Sequence, residues 1–172
     1  DISPAALARA AERCRGLPHV RFAPLDLARD PLPGRLGLVV ASEVFYYLKD
    51  RGELARVARK IAAALEPGGL FLTAHARTTA DEPGGPGFDW PVGFGAATIG
   101  ATFASLPDLE PVRELRTPLY RVALFRRRAS PRRWRRPVAP EVLEREPSWP
   151  EEPALAGHVV RPGEFPARAA AE

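Results

Sequence analysis

The 172-residue sequence predicts an α/β domain built on an open, mostly parallel sheet that finishes in an antiparallel last strand. Three observations carry that expectation. Apolar runs of strand length alternate with helical periodicities, at the spacing of right-handed parallel crossovers. Two later runs, Leu109–Arg116 and Tyr120–Phe125, flank Pro118 and suit an antiparallel pair at the sheet edge. Finally, successive strand ends carry chemistry: Asp1, then Asp26, then Ser42-Glu43, then His75. In such sheets ligands bind outside the carboxyl ends of the strands, so these residues converge on one rim.

The elements follow in order. In Asp1-Ile2-Ser3-Pro4, Ser3 is a good N-cap and Pro4 suits the first helical position. Leu7, Ala10, Ala11 and Cys14 recur at helical spacing, and Gly16 ends that helix. Val20–Ala23 reads as a short strand running on to Asp26, and Pro31–Gly34 as a turn-rich connector. Leu36–Ala41 is the continuous apolar run of a strand buried on both faces. Asp50 caps a helix whose stripe is Leu54, Val57, Ala58, Ile61, Ala62 and Leu65. Pro67-Gly68-Gly69 stops it and turns the chain into the strand Leu70–Ala74. Ala76–Gly87 is polar and rich in Gly and Pro, a candidate lid loop, and Phe94–Leu106 carries a weak helical signal.

Composition bounds the function. The length suffices for one domain with a real core. Apolar periodicity fades near Phe125 and 8 of the 20 prolines lie beyond residue 130, so residues 1–128 read as the domain and 129–172 as a linker or disordered tail. Lone Cys14 excludes a disulfide framework and reads as a small core residue. No apolar run approaches the ~20 residues that span a bilayer, and a cytoplasmic setting is the default expectation. The net charge of +4 includes Arg126-Arg127-Arg128 and Arg132-Arg133-Trp134-Arg135-Arg136. That run reads as a solvated basic segment, and a nucleic-acid or membrane partner is not expected.

These residues resemble a class I S-adenosylmethionine-dependent methyltransferase, and within that class the NodS-like branch of nodulation N-methyltransferases. The resemblance rests on Asp1-Ile2-Ser3-Pro4 with Ala10 and Arg13, on Ser42-Glu43-Val44-Phe45-Tyr46-Tyr47-Leu48, on Leu65-Glu66-Pro67-Gly68-Gly69, and on Arg116-Thr117-Pro118-Leu119-Tyr120-Arg121. It covers roughly residues 1–128 and implies a Rossmann-like sheet. It also implies that the family's first strand and glycine-rich loop are lacking here, because the chain opens after them without an initiator Met. Gly37 stands where such sequences often carry an aspartate. The expectation is therefore methyl transfer by a full-length parent, possessed in crippled form by this piece.

The resemblance implies S-adenosylmethionine as cofactor, with Asp1 and Ile2 at the ribose, Asp26 and the Leu27 N–H at the adenine, and Ser42 near the methionine end. It implies an amino-sugar or other small-molecule acceptor. His75 is the candidate base for deprotonating an amine, its bland alternative being a hydrogen bond to a loop carbonyl. Glu43 is the second catalytic candidate, or a carboxylate placed by a helix start. Tyr46 and Tyr47 are candidate pocket walls or core residues. Trp90, in Phe88-Asp89-Trp90, is a candidate platform for a sugar ring or a packing residue, and Asp26 is alternatively a turn cap. Two other classes stand beside this reading: a fragment of an NAD(P)-type oxidoreductase, and a non-catalytic interaction fragment using the basic segment.

Overall fold

A computed structural model of the chain describes residues 1–129 and 141–144. Its helices are α1 (Pro4–Arg13), α2 (Arg51–Ala64) and α3 (Ala96–Ala104). Its strands are β1 (Leu36–Ser42), β2 (Leu65–Ala76), β3 (Leu109–Arg116), β4 (Tyr120–Arg127) and β5 (Glu141–Glu144). They form one sheet in the order β1-β2-β4-β3-β5. β1 runs parallel to β2, β4 lies antiparallel to both β2 and β3, and β5 is parallel to β3. Only β4 is therefore reversed, which is the mixed sheet the sequence predicts.

Local chemistry explains each boundary. Ser3 Oγ accepts from the Ala6 N–H at 3.3 Å and caps α1, with proline in its first turn. Asp50 Oδ1 accepts from the Glu53 N–H at 2.8 Å, while Glu53 Oε2 reaches back to the Lys49 N–H at 2.8 Å. This reciprocal pair satisfies donors that the helix start leaves open. The α2 stripe is buried as its spacing demands, from Leu54 through Ala62. The helix ends at Ala64, earlier than expected: Leu65 is the first residue of β2 and pairs with Leu36, and Pro67-Gly68-Gly69, read as the stop signal, lies within that strand. Gly68 takes φ +84, and a Cβ on Gly69 would stand 2.9 Å from the carbonyl oxygens of Glu66 and Leu36. The register shift between Leu36 and Leu38 lies at this close approach.

The core fills the space between the sheet and α2 and α3. Phe45, Phe71, Phe103 and Phe125 form its centre, with the Phe71 and Phe103 rings 4.3 Å apart. Residues of β1 and β2 alternate, so Val39, Ala41 and Phe71 face this core while Leu38 and Val40 face away, 57% and 58% exposed.

Four further expectations need correction. Val20–Ala23 forms no ladder; the Val20 N–H closes a turn onto the Leu17 carbonyl at 3.0 Å, and just beyond the segment the Leu25 N–H donates to the Asp1 carbonyl at 3.1 Å. A strand requires a neighbour along its length, and among the described residues nothing runs beside this one. Leu36–Ala41 is likewise not buried on both faces. Cys14 is the half-buried C-cap of α1, a helix with no buried residue, and so is not a core residue. Within the stretch read as a tail, Glu141–Glu144 form β5 on the edge of the sheet. The remainder of the tail lies outside the described residues.

Candidate functional site

Asp1 and Asp26 stand on adjacent chain segments, joined by the bond from Leu25 to Asp1. Asp1 Oδ1 accepts from the Ser3 N–H at 2.8 Å. Asp26 Oδ1 accepts from the N–H groups of Ala28 (2.8 Å) and Arg29 (3.3 Å), so the turn-capping role is real. Its Oδ2 lies 3.5 Å from the exposed Arg29 guanidinium. Lys60 on α2 pins this turn by donating to the carbonyls of Leu27 and Asp30, both at 2.6 Å. The Leu27 N–H meets no acceptor among the described residues, and Ile2 is 72% exposed. The rim thus offers two carboxylates and one open backbone donor. This set fits vicinal hydroxyls and the edge of an adenine.

The second cluster closes the carboxyl ends of β1 and β2. Ser42, the last residue of β1, is exposed. Glu43 follows in the left-handed region at φ +53, a conformation that costs a residue with a Cβ on the order of 1 kcal/mol. Its N–H donates to the Ala74 carbonyl at 3.1 Å, and its Oε1 accepts from the Ala76 N–H at 3.0 Å. The Tyr46 hydroxyl lies 3.3 Å from that same oxygen and 3.2 Å from the Ala76 carbonyl. Glu43 Oε2 has no partner among the described residues. Burial raises the Glu43 carboxyl above its ordinary value, and the bonds from Ala76 and Tyr46 oppose that rise. Tyr120 is raised by burial and by the negative charge of Glu43.

His75 is not placed to act as a base. It is 1% exposed, and its Nε2 accepts from the N–H groups of Val44 and Phe45, both at 3.3 Å. Nδ1 faces Thr73 Oγ1 at 2.8 Å. The ring stacks on Phe45 at 4.9 Å and 7°, and burial lowers its pKa to about 4. The acceptor lone pair is committed to backbone donors rather than to a substrate, and Nδ1 faces the Thr73 hydroxyl rather than a loop carbonyl. Tyr47, 76% exposed, stands apart from the cluster and belongs neither to its wall nor to the core.

Aromatic rings continue the site outward. Tyr46 meets Trp90 edge-on at 5.9 Å, Trp90 stacks on Phe88 at 4.5 Å, and Phe88 meets Tyr120 edge-on at 6.1 Å. Phe88 and Tyr120 went unassigned in the sequence because only tertiary packing brings them beside Trp90 and Glu43. The proposed lid is fastened down. Phe88 exchanges backbone bonds with Arg77 and Thr79, and Asp81 Oδ2 accepts from the Thr98 N–H at 2.7 Å in the first turn of α3. Arg77 and Arg121 both pair with Glu82, which ties the loop to β4.

The described part of the basic run is also engaged. Arg126 and Arg128 pair with Glu110 at 3.6 and 3.2 Å, and Arg127 donates to the Ala63 carbonyl at 3.0 Å. Arg132–Arg136 lie outside the described residues. A cavity of about 280 Å³ separates α3 from β3 and β4, with Thr73 and His75 on its wall. Among the described residues no group of side chains could hold a metal ion, and no helix is long and apolar enough to cross a membrane.

Comparison with known proteins places this arrangement. The chain is similar to nodulation protein S of Bradyrhizobium diazoefficiens, 28% identical over 111 residues that make up 64% of this chain and 50% of that one. It therefore spans about half the length of that curated relative. Among solved structures it resembles N-methyltransferase NodS from Bradyrhizobium japonicum WM9 in complex with S-adenosyl-L-homocysteine. The TM-score is 0.64 at 24% identity, covering 74% of this chain and 64% of the other. It also resembles the [4+2]-cyclase SpnF, with a TM-score of 0.59 at 16% identity, covering 75% and 64%. At these identities the structures show the fold alone, the Rossmann-like fold of methyltransferases, and one fold hosts several chemistries. The decisive finding is at the level of the family: its model matches residues 1–106 of 172, and the chain belongs to the nodulation protein S (NodS) family.

Proposed function

We propose that the chain contributes to S-adenosylmethionine-dependent methyl transfer onto the nitrogen of a small amine acceptor, an amino sugar being the acceptor class in view, in a cytoplasmic setting. Family membership supports the cofactor. The observation that carries the acceptor reading is Glu43, a carboxylate held half-buried at the end of β1 with Oε1 engaged and Oε2 open.

The roles divide along the rim. Asp1 would accept from the ribose hydroxyls, with Ile2 alongside, and Asp26 would accept from the exocyclic amine of adenine through Oδ2. The Leu27 N–H, without an acceptor among the described residues, would donate to a ring nitrogen. Ser42 would stand near the methionine end. The cofactor, when bound, supplies the electrophilic methyl group, and the protein's contribution is alignment and proton management. Glu43 Oε2 would take the proton of the arriving ammonium, leaving the neutral amine that the reaction needs. Its raised pKa makes it a stronger proton acceptor than an ordinary carboxylate. Tyr46 and Trp90 would wall the acceptor, their rings favouring a cation or the apolar face of a sugar.

Titration calorimetry with S-adenosylmethionine, followed by methylation of a glucosamine oligosaccharide, tests the proposal. Glu43→Gln should leave cofactor affinity within about twofold and lower amine methylation by 10²-fold or more, the order expected for loss of a proton acceptor. Asp26→Ala should weaken the cofactor instead. Undiminished methylation in Glu43→Gln would refute the acceptor assignment.

A further inference from the structure

We infer that Thr73 and His75 form a buried clamp that fixes the Glu43–Tyr46 turn, making both of them positioning residues for the acceptor end of the site. The inference rests on the reading of Glu43 above. Phe45–Tyr47 form a short 3₁₀ turn whose N-cap, Val44, offers no side-chain bond. The N–H groups of Val44 and Phe45 open that turn and have no acceptor within it, and Phe45 is fully buried. His75 Nε2 reaches both from the neighbouring strand.

This bond pattern dictates the proton's place. Nε2 accepts, so it carries no hydrogen, and the hydrogen of the neutral ring sits on Nδ1. Nδ1 must then donate, and Thr73 Oγ1 at 2.8 Å receives it. Thr73 lies two residues before His75 on β2, so strand alternation puts both side chains on the same face. Its hydroxyl selects the tautomer that makes Nε2 an acceptor. A valine there would fill the same volume and leave Nδ1–H buried without a partner.

The clamp and the carboxylate share a lever arm. Glu43 directly precedes Val44, holds φ +53, and anchors its side chain to Ala76, the residue after His75. Tyr46 leans its edge on the His75 ring at 5.2 Å and bonds the Ala76 carbonyl. Loss of the two bonds at Nε2 frees the segment that carries both Glu43 and Tyr46 while leaving the pairing of β1 with β2 intact. The adenosine rim lies on other segments and should not respond. The charged groups facing the ring from packed elements are few. Glu43 approaches from the turn, and Arg113, Glu114, Arg116 and Arg121 line the cavity that the ring adjoins on the side of β4 and β3.

Thr73→Val and Thr73→Ser, compared with the unmodified chain, test the inference. Hydrogen exchange should show about tenfold lower protection at Val44 and Phe45 in Thr73→Val, with Leu72 and Val40 unchanged. Long-range ¹H–¹⁵N spectra should report the Nδ1–H tautomer in the unmodified chain and its loss in Thr73→Val. KM for the amine acceptor should rise about tenfold while the Kd for S-adenosylmethionine stays within twofold, and Thr73→Ser should restore every value. Unchanged protection, or an Nε2–H tautomer in the unmodified chain, overturns the clamp. If protection falls while the acceptor KM does not move, and Glu43→Gln leaves methylation intact, the positioning role fails because Glu43 does not serve the acceptor. If Glu43→Gln impairs methylation but Thr73→Val does not, the positioning role fails alone.

Discussion

Acid should unfold this chain in a way that His75 governs. The imidazole is neutral in the fold because burial lowers its pKa from 6.5 to about 4. At about 1.4 kcal/mol for each tenfold change in acidity constant, that displacement amounts to about 3 kcal/mol of pH-dependent stability. The sign follows from the direction. A group whose folded value lies below its unfolded value contributes fully above the unfolded value and loses that contribution as pH falls. The loss therefore starts near pH 6.5, reaches about 2 kcal/mol by pH 5, and is nearly complete at pH 4. Glu43 acts in the opposite sense, since its raised pKa favours protonation in the fold. His75→Gln isolates the effect: glutamine can still accept from Val44 and Phe45 through Oε1 but does not titrate, and Glu43 is common to both proteins. Urea unfolding at pH 7, 6 and 5 should give a stability difference between the two that narrows by about 2 kcal/mol from the first pH to the last. Parallel curves would refute the argument, because they would mean that the ring is already solvated or already paired in its charged form.

Three substitutions probe the scaffold. Phe103→Ala should cost about 3–5 kcal/mol in urea unfolding, since its fully buried ring lies among Phe45, Phe71 and Phe125. Gly69→Ala should cost about 1–3 kcal/mol, because the new Cβ would stand 2.9 Å from two backbone carbonyls that cannot retreat without disturbing β1 against β2. Gly100→Ala carries the opposite sign, with nothing within 4 Å of the new methyl and a helical backbone already in place; it should raise stability by up to about 1 kcal/mol. A Gly100→Ala thermal midpoint below that of the unmodified chain would contradict the open space beside α3.

Much of the scaffold is legible before folding because its causes are local or periodic. Ser3 and Asp50 cap their helices for reasons contained within four residues of chain. The stripe from Leu54 to Ala62 announces its buried face through spacing alone, and Pro118 separates two strands that pair antiparallel as expected. Asp1 and Asp26 are recognisable as candidate carboxylates, but neither ends a strand among the described residues; the bond from the Leu25 N–H to the Asp1 carbonyl is what joins their segments.

The sequence by itself determined where helices begin, which faces are apolar, and which residues could bear chemistry, since propensity, capping and periodicity act over a few residues. Only the tertiary structure decided what those residues do. Val20–Ala23 has strand composition but no neighbour to pair with, and composition cannot supply one. His75 has the chemistry of a base, yet two N–H groups thirty residues away occupy its lone pair and burial keeps it neutral. Tyr46 and Tyr47 are adjacent and chemically identical, and the turn sends one to Glu43 and the other to solvent. A strand needs a partner that only distant chain can supply, and the side chains obey the same logic. A titratable or aromatic side chain takes its role from the donors, charges and desolvation around it, and long-range packing alone assembles that environment.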